Sequence, residues 1–189
     1  MEKITIITPT YNRGRLLESI YKSLRNLTFK DFEWVLIDDG SIDNTEEMVL
    51  PWIAYNNDNG SFAIRYVKKS NGGKHTAINR GVKEAKGELI LILDSDDTLP
   101  ADSLTTIAMF YDQCKTLKDC AGICGLMAHH DGTLIGTGFP KDPMYESALQ
   151  FRYAEKGNVT GDLLEVYKTS VMREYPFPEV ENEKFAQNL

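Results

Sequence analysis

The clearest indication of the fold is the segment Glu33-Trp34-Val35-Leu36-Ile37-Asp38-Asp39-Gly40-Ser41. Its apolar centre predicts a buried strand over residues 33–38, and carboxylates stand where that strand ends. The same pattern recurs over residues 88–93, where Asp94-Ser95-Asp96-Asp97 follows an apolar run. The two segments therefore predict neighbouring strands of one sheet with an acidic carboxyl edge.

Segments with helical spacing separate these strands from others like them. Further strands are predicted at residues 4–8 and 62–67, and helices are predicted at residues 16–27, 44–55, 74–85 and 100–117. Asp43 is expected to cap the second helix, and Pro100 is expected to open the fourth. Strands that alternate with helices predict an α/β fold, a three-layer sandwich around a mostly parallel sheet.

The alternation of predicted strands and helices is less clear in the last third of the chain. A strand is predicted at residues 121–128, and residues 129–153 are expected to form a long connection. Residues 161–167 fit a strand or a helix start, residues 170–175 fit a short helix, and another helix is expected to begin near Glu183. No linker composition divides the chain, so one domain is predicted for its 189 residues.

Charge and composition exclude several classes of protein. The net charge of −7 argues against a nucleic-acid binder that coats phosphates. The longest apolar run, residues 89–93, is far too short to cross a bilayer, and no signal peptide is expected. The three cysteines (Cys114, Cys120 and Cys124) lack zinc-site spacing, so we expect buried or half-buried thiols in a reducing compartment.

Four polar turns follow the first four predicted strands. They are Pro9-Thr10-Tyr11-Asn12, Asp38-Asp39-Gly40-Ser41, Asn71-Gly72-Gly73-Lys74 and Asp94-Ser95-Asp96-Asp97. Ligands of open α/β sheets bind beyond the carboxyl ends of the strands. We therefore expect the four turns to surround one site.

Each turn has both a functional and a plain structural interpretation. Carboxylates at residues 94–97 suit Mg²⁺ or Mn²⁺ held together with a diphosphate, but the turn could also be solvated, with Asp97 capping the next helix. Asp39 can accept hydrogen bonds from a ribose or a base, or it can belong to a simple strand-to-helix turn. Gly73 and Lys74 at a helix start suit a phosphate, although neither a Walker loop nor a Gly-x-Gly-x-x-Gly motif is present.

Taken together, these turns resemble those of the family 2 glycosyltransferases, which are inverting enzymes with the GT-A fold. The likeness lies in residues 8–12, 35–43, 71–79 and 87–97, and the order and spacing match over about residues 3–115. It continues more weakly through residues 161–162 and 177–179 to Glu183-Lys184-Phe185.

The resemblance implies a role for each turn. It implies a donor site formed by Pro9, Thr10, Tyr11, Asp39, Gly73, Lys74, Asp94 and Ser95. In that site Asp39 would contact the uracil or ribose, and Lys74 would lie near the base or diphosphate. Asp94 and Asp96 would hold Mn²⁺ or Mg²⁺, with Asp96 as the direct ligand. Glu183 falls at the position of the catalytic base, where many members have Asp as the next residue and this chain has Lys184.

The implied activity is transfer of a sugar from a nucleotide-diphosphate sugar, expected to be a UDP-sugar, to a saccharide or lipid-linked acceptor. Residues 1–189 would form one GT-A domain, with a donor-binding half over residues 1–100 and an acceptor-side half, expected to be incomplete, over residues 101–189. A cytoplasmic protein is expected, with peripheral contact at the inner face of the membrane if the acceptor is lipid-linked. No nucleic-acid partner is expected.

Two alternatives remain open at this stage. A sugar-phosphate nucleotidyltransferase also places a metal on an α/β sheet, but it would need a glycine-rich, arginine-containing loop after the first strand. Residues 8–14 offer only Arg13 and one glycine. The second alternative is a non-catalytic module that binds a nucleotide sugar.

Overall fold

A computed structural model describes residues 3–60, 62–141, 145, 147, 159–181, 183 and 184. The strands are β1 (Ile4–Thr10), β2 (Phe32–Asp38), β3 (Ala63–Lys68), β4 (Leu89–Ile92), β5 (Gly122–Leu126) and β6 (Leu163–Lys168). The helices are α1 (Gly14–Asn26), α2 (Thr45–Asn59), α3 (Lys74–Glu84), α4 (Ser103–Cys114) and α5 (Thr169–Glu174).

The strands form one sheet in the order β3-β2-β1-β4-β6-β5. Strand β1 pairs in parallel with both β2 and β4 and lies between them, so the expectation that these two strands are neighbours is wrong. Strand β2 pairs in parallel with β3. Strand β6 is antiparallel to β4, with Leu89 opposite Lys168. The predicted α/β fold with a mostly parallel sheet is confirmed. Because β1, β2, β3 and β4 run the same way, their carboxyl ends lie at one edge.

Helix α3 covers one face of the sheet. Ile7, Val35 and Ile37 on the strands pack in one cluster with Ala77 and Ile78 of the helix, and all are buried. Each fully buried aliphatic side chain of this kind contributes about 1.5–3 kcal/mol to folding. This packing fixes the start of α3 relative to the ends of β1 and β2.

Aromatic rings fill the opposite side of β2. The ring of Tyr21 on α1 stacks on Trp52 of α2 with centroids 4.7 Å apart, and on Trp34 of β2 at 6.4 Å. The indole N–H of Trp34 donates a 3.0 Å hydrogen bond to Thr8 Oγ1. Trp34 is therefore a packing residue.

Two helix starts differ from the sequence prediction. Helix α4 begins at Ser103 with Asp102 at its N-cap, so Pro100 precedes the helix by a turn and does not open it. Asn44 stands at the N-cap of α2 but makes no side-chain capping hydrogen bond, and the helix begins one residue later than predicted. The Asp43 carboxylate instead accepts hydrogen bonds from the backbone N–H groups of Thr45 and Gly14.

The chain divides into two compact units. One comprises Met1–Ile123 and Val166–Leu189, and the other comprises Cys124–Glu165. Within the second unit, Ala128 pairs with Leu134 in an isolated antiparallel bridge, and Thr137 N donates to Thr160 O at 3.0 Å. Part of the predicted connection over residues 129–153 lies outside the described residues. The predicted division at residue 100 stays a prediction.

The cysteines have the expected burial. Cys114 is buried, and Cys120 and Cys124 are half-buried. Burial, together with a hydrogen bond between the Cys114 and Cys120 thiols, raises the pKa of the Cys114 thiol to about 11. This thiol is therefore protonated at neutral pH. Among the described residues, no helix combines the length and the apolar character needed to span a membrane.

Candidate active site

The turn after β1 is hydrogen-bonded to the turn after β2. The backbone N–H of Asn12 donates to Ser41 Oγ at 2.9 Å, and the Asn12 side chain accepts from the N–H of Ile42 at 2.9 Å. The N–H of Asp39 donates to the carbonyl oxygen of Thr10 at 2.8 Å. Asn12 adopts a φ of 54°, a left-handed conformation that asparagine tolerates better than most residues. These contacts fix the two turns side by side.

The Asp43 carboxylate joins the starts of two helices. It accepts from Gly14 at the start of α1 and from both the N–H and the hydroxyl of Thr45 at the start of α2. Burial works to raise its pKa, but the bonds from Thr45 and Gly14 outweigh that effect and leave the pKa below its ordinary value. The carboxylate is therefore ionised at neutral pH, as suits two helix N-termini.

The two adjacent carboxylates after β2 differ in their surroundings. Asp38 is fully buried, accepts from Ser41 N at 2.7 Å and accepts from the Tyr66 hydroxyl. Burial, and then the hydrogen bond to Asp38, raise the pKa of Tyr66 above its ordinary value. Asp38 therefore stabilises the turn after β2 through its hydrogen bond with Ser41.

Asp39 holds the glycine turn that follows β3. Its carboxylate accepts from Gly72 N at 3.0 Å and from Gly73 N at 2.7 Å, and it pairs with Lys69 Nζ at 2.6 Å. The side chain is only 5% exposed. The resemblance implies a ligand contact for Asp39. The structure shows that Asp39 also holds the turn after β3 in place, a role that no local pattern indicates.

Two glycines are required by the backbone of these turns. Gly40 has a φ of 85°, and a Cβ there would lie 2.9 Å from Asn71 N. Gly73 has a φ of 95°, and a Cβ there would lie 2.1 Å from the carbonyl oxygen of Lys184. Both φ values disfavour residues with a side chain. The second contact also means that the C-terminal segment crosses directly against the start of α3.

The acidic turn after β4 gathers three carboxylates. Oxygen atoms of Asp94, Asp96 and Asp97 lie within 4.8 Å of one another, with Asp96 exposed and the other two half-buried. Lys74 Nζ lies 2.7 Å from the Asp94 carboxylate. Arg13 Nη1 lies 3.1 Å from Ser95 Oγ and 3.4 Å from Asp96 Oδ2. Convergent carboxylate oxygens are the donors that hard divalent cations prefer, so the residues present fit Mg²⁺ or Mn²⁺.

The four turns form a closed ring of contacts. A hydrogen bond of Asn12 joins the first turn to the second, and a hydrogen bond to Asp39 joins the second turn to the third. Lys74 joins the third turn to the fourth. Arg13, the residue directly after the first turn, closes the ring by its contact with the fourth turn. The four turns therefore lie together at one edge of the sheet, and their forming one binding site stays a prediction. The roles of the individual residues in binding and catalysis stay predictions.

The remaining residues of the expected donor site lie in the same turns. Pro9 and Ser95 are buried, and Tyr11 is 47% exposed. The Thr10 hydroxyl is buried and, among the described residues, has no hydrogen-bond partner. An unsatisfied buried hydroxyl is uncommon in a protein interior, so this atom marks the end of β1 as unusual.

Helix α3 anchors the segment that carries Glu183. The side chain of the buried Asn79 donates to Phe177 O at 2.8 Å and to Glu179 Oε1 at 2.7 Å, and it accepts from Phe177 N at 2.9 Å. Glu183 and Lys184 are exposed, and Glu183 N donates to Val180 O at 3.1 Å. Glu183 closes a turn that begins at Val180. Most of the helix expected to begin near Glu183 lies outside the described residues.

Asn79→Ala is expected to loosen this segment. The substitution leaves the backbone N–H and carbonyl of Phe177 without their partners, which we expect to lower the free energy of unfolding by about 1–3 kcal/mol. Chemical denaturation measures that change, and hydrogen exchange should accelerate at the Phe177 amide. Lys83→Ala, at an exposed position of the same helix, is the control. Unchanged exchange at Phe177 would contradict the anchoring role.

Comparison with known proteins identifies the family. The model of glycosyl transferase family 2 matches residues 5–130. The chain therefore belongs to this family of enzymes, and the resemblance seen in its turns is confirmed.

Individual relatives agree with that assignment. The chain is 30% identical over 195 residues to the GalNAc(5)-diNAcBac-PP-undecaprenol beta-1,3-glucosyltransferase of Campylobacter jejuni, covering 100% of this chain and 57% of that protein. The crystal structure of Staphylococcus aureus TarS residues 1–349 matches with a TM-score of 0.66 at 26% identity, covering 94% of this chain and 50% of that one. The GT-A fold is thereby confirmed. The chain spans about half the length of these two proteins.

Proposed function

We propose that the chain transfers a sugar from a nucleoside-diphosphate sugar, a UDP-sugar in the first instance, to a hydroxyl of a saccharide or lipid-linked acceptor. The observation that carries the proposal is the closed ring of four turns, within a chain of family 2. The ring brings a carboxylate cluster, a lysine and the N-terminus of α3 to one edge of the sheet. These are groups that bind a diphosphate together with a divalent cation.

The donor would be bound by the turns after β1, β2 and β3. Asp39 keeps the turn at Gly72 and Gly73 in place, and this turn leads into the N-terminus of α3, whose positive end favours an anion. Lys74 adds a positive charge at the same helix start. Pro9, Thr10 and Tyr11 would contact the nucleoside from the neighbouring turn. Residues 1–100 would thus supply the donor half and residues 101–189 the acceptor half.

Asp94 and Asp96 would hold Mn²⁺ or Mg²⁺. When bound, the cation supplies positive charge against the departing diphosphate. The reaction itself would be a single displacement with inversion. As the acceptor oxygen attacks the anomeric carbon, the Glu183 carboxylate takes the hydroxyl proton, and the nucleoside diphosphate leaves with the electron pair of the broken C–O bond. Ring contacts between the turns would hold the reactants in position.

The relatives support the acceptor class. The Campylobacter jejuni relative is named for a beta-1,3-glucosyl transfer onto an undecaprenol-linked glycan, and TarS is named a poly(ribitol-phosphate) beta-N-acetylglucosaminyltransferase. Both names describe β-linked products, which inversion of an α-linked donor would give. A role in assembling a cell-envelope polysaccharide follows, at the inner face of the membrane where the acceptor is lipid-linked.

Ligand binding tests the donor site directly. UDP with Mn²⁺ is expected to raise the melting temperature, because a ligand at one hundred times its Kd stabilises the native state by about 2.7 kcal/mol. EDTA should remove most of that shift. Thermal shift and titration calorimetry with UDP, GDP and dTDP, each with and without Mn²⁺, measure both effects.

The possible results separate the alternatives. No binding of any nucleoside diphosphate would overturn the donor site, and a shift unaffected by EDTA would overturn the metal. Binding without transfer to any acceptor or hydrolysis of the UDP-sugar would favour the non-catalytic module. Release of pyrophosphate from UTP and a sugar phosphate would favour the nucleotidyltransferase.

A further inference from the structure

Two cationic side chains already occupy the acidic turn. Lys74, from the start of α3, pairs with Asp94, and Arg13, from the turn before α1, pairs with Asp96. The two cations come from different elements and reach different carboxylates. Together they balance two of the three negative charges that converge there.

These two ion pairs are weak enough for the cationic side chains to exchange their carboxylate partners for other anions. The side chains of Lys74 and Arg13 are 59% and 51% exposed, and exposed ion pairs on long side chains are weak. The pair between Lys69 and Asp39 is different, because Lys69 is 20% exposed and also bonds Thr76 and the Ser70 carbonyl. The cations on the acidic turn can therefore leave, whereas the one on Asp39 is fixed.

A divalent cation on the same carboxylates would be repelled by Lys74 and Arg13 at close range. The repulsion ends when both cations move to another anion. A diphosphate next to the turn is such an anion, and its oxygens accept charge-assisted hydrogen bonds from lysine and arginine.

Resting on the proposed function, we infer that Lys74 and Arg13 are resident counter-ions of the acidic turn, which leave it for the donor diphosphate when the metal binds. The metal and the diphosphate then bind with positive coupling, since each relieves a cost that the other would meet alone. Lys74 makes the larger contribution because its pair is the closer one, 2.7 Å against 3.4 Å.

Lys74→Met tests the exchange, since methionine keeps much of the side-chain volume and removes the charge. We expect Mn²⁺ alone, measured by electron paramagnetic resonance without nucleotide, to bind about fivefold more tightly. UDP at saturating Mn²⁺ is expected to bind about tenfold more weakly in calorimetry. Arg13→Gln should shift both constants in the same directions by less, and Lys74→Arg should restore both.

Opposite changes in the two affinities distinguish the exchange from simpler roles. Lys83→Met removes an exposed positive charge from the same helix, and we expect it to leave both constants unchanged. An unchanged or weaker Mn²⁺ affinity in Lys74→Met would overturn the inference while leaving the proposed function intact, provided that the wild-type chain binds UDP with Mn²⁺. Failure of the wild-type chain to bind UDP would overturn the proposed function itself.

Discussion

Asp96→Ala is expected to lower sugar transfer by about 10³-fold, the upper range for loss of a group that stabilises charge in a transition state. Asp96 is the exposed member of the carboxylate cluster, and it forms a 3.4 Å ion pair with Arg13. The substitution should therefore change the free energy of unfolding by no more than about 0.5 kcal/mol. Transfer rates in excess Mn²⁺, together with a denaturation curve, measure both quantities.

The control for this experiment is Asp58→Asn, which removes a carboxylate from an exposed position near the end of α2. We expect its transfer rate and its stability to match those of the wild-type chain. If Asp96→Ala transferred sugar at the wild-type rate in excess Mn²⁺, Asp96 would have no part in the mechanism. Asp94→Ala would then decide whether the remaining carboxylates of the turn bind the metal.

Local sequence is sufficient to predict the parallel strands and the edge of the sheet at which the four turns lie. Residues 33–38 and 88–93 are apolar runs that end in carboxylates, and each corresponds to a strand, β2 and β4. Parallel strands separated by helices must place their carboxyl ends together, so the four turns could be assigned to one edge before any contact was known.

The contacts between the turns could not be predicted in the same way. No local pattern marks Lys69, although its ammonium group lies 2.6 Å from the Asp39 carboxylate. Nothing in the sequence around Arg13 indicates its contact with Ser95. Both interactions join residues separated by 30 or more positions. No periodicity or motif within one turn records which side chain of another turn it meets.

The antiparallel pairing of strand β6 could not be predicted from local sequence either. Residues 161–167 fit either a strand or a helix start by pattern, and β6 pairs with a strand, β4, that lies far away along the chain, with Leu89 opposite Lys168. That pairing depends on the open edge of β4, which is a property of the assembled sheet. The same reasoning explains Gly73, whose need for glycine comes from a contact with Lys184 and not from its own turn alone.

Glu183→Gln is expected to reduce turnover by about 10²–10⁴-fold, the range for loss of a general base, and to leave the Kd for UDP with Mn²⁺ within twofold of wild type. The position of Glu183 explains why we expect turnover and nucleotide binding to respond differently. Glu183 belongs to the segment anchored by Asn79, and the next residue, Lys184, lies against Gly73 at the edge of the donor turns. The substitution keeps the shape of the side chain and removes only its ability to accept a proton.

Glu181→Gln makes a matched control, because it is the same substitution at an exposed position two residues earlier in the same segment. We expect full turnover from that variant. Wild-type turnover from Glu183→Gln would mean that the base lies elsewhere, and Asp162→Asn would be the next variant to measure. Loss of UDP binding together with turnover would instead assign Glu183 to the donor site, since a base acting on the acceptor hydroxyl has no reason to affect the nucleotide.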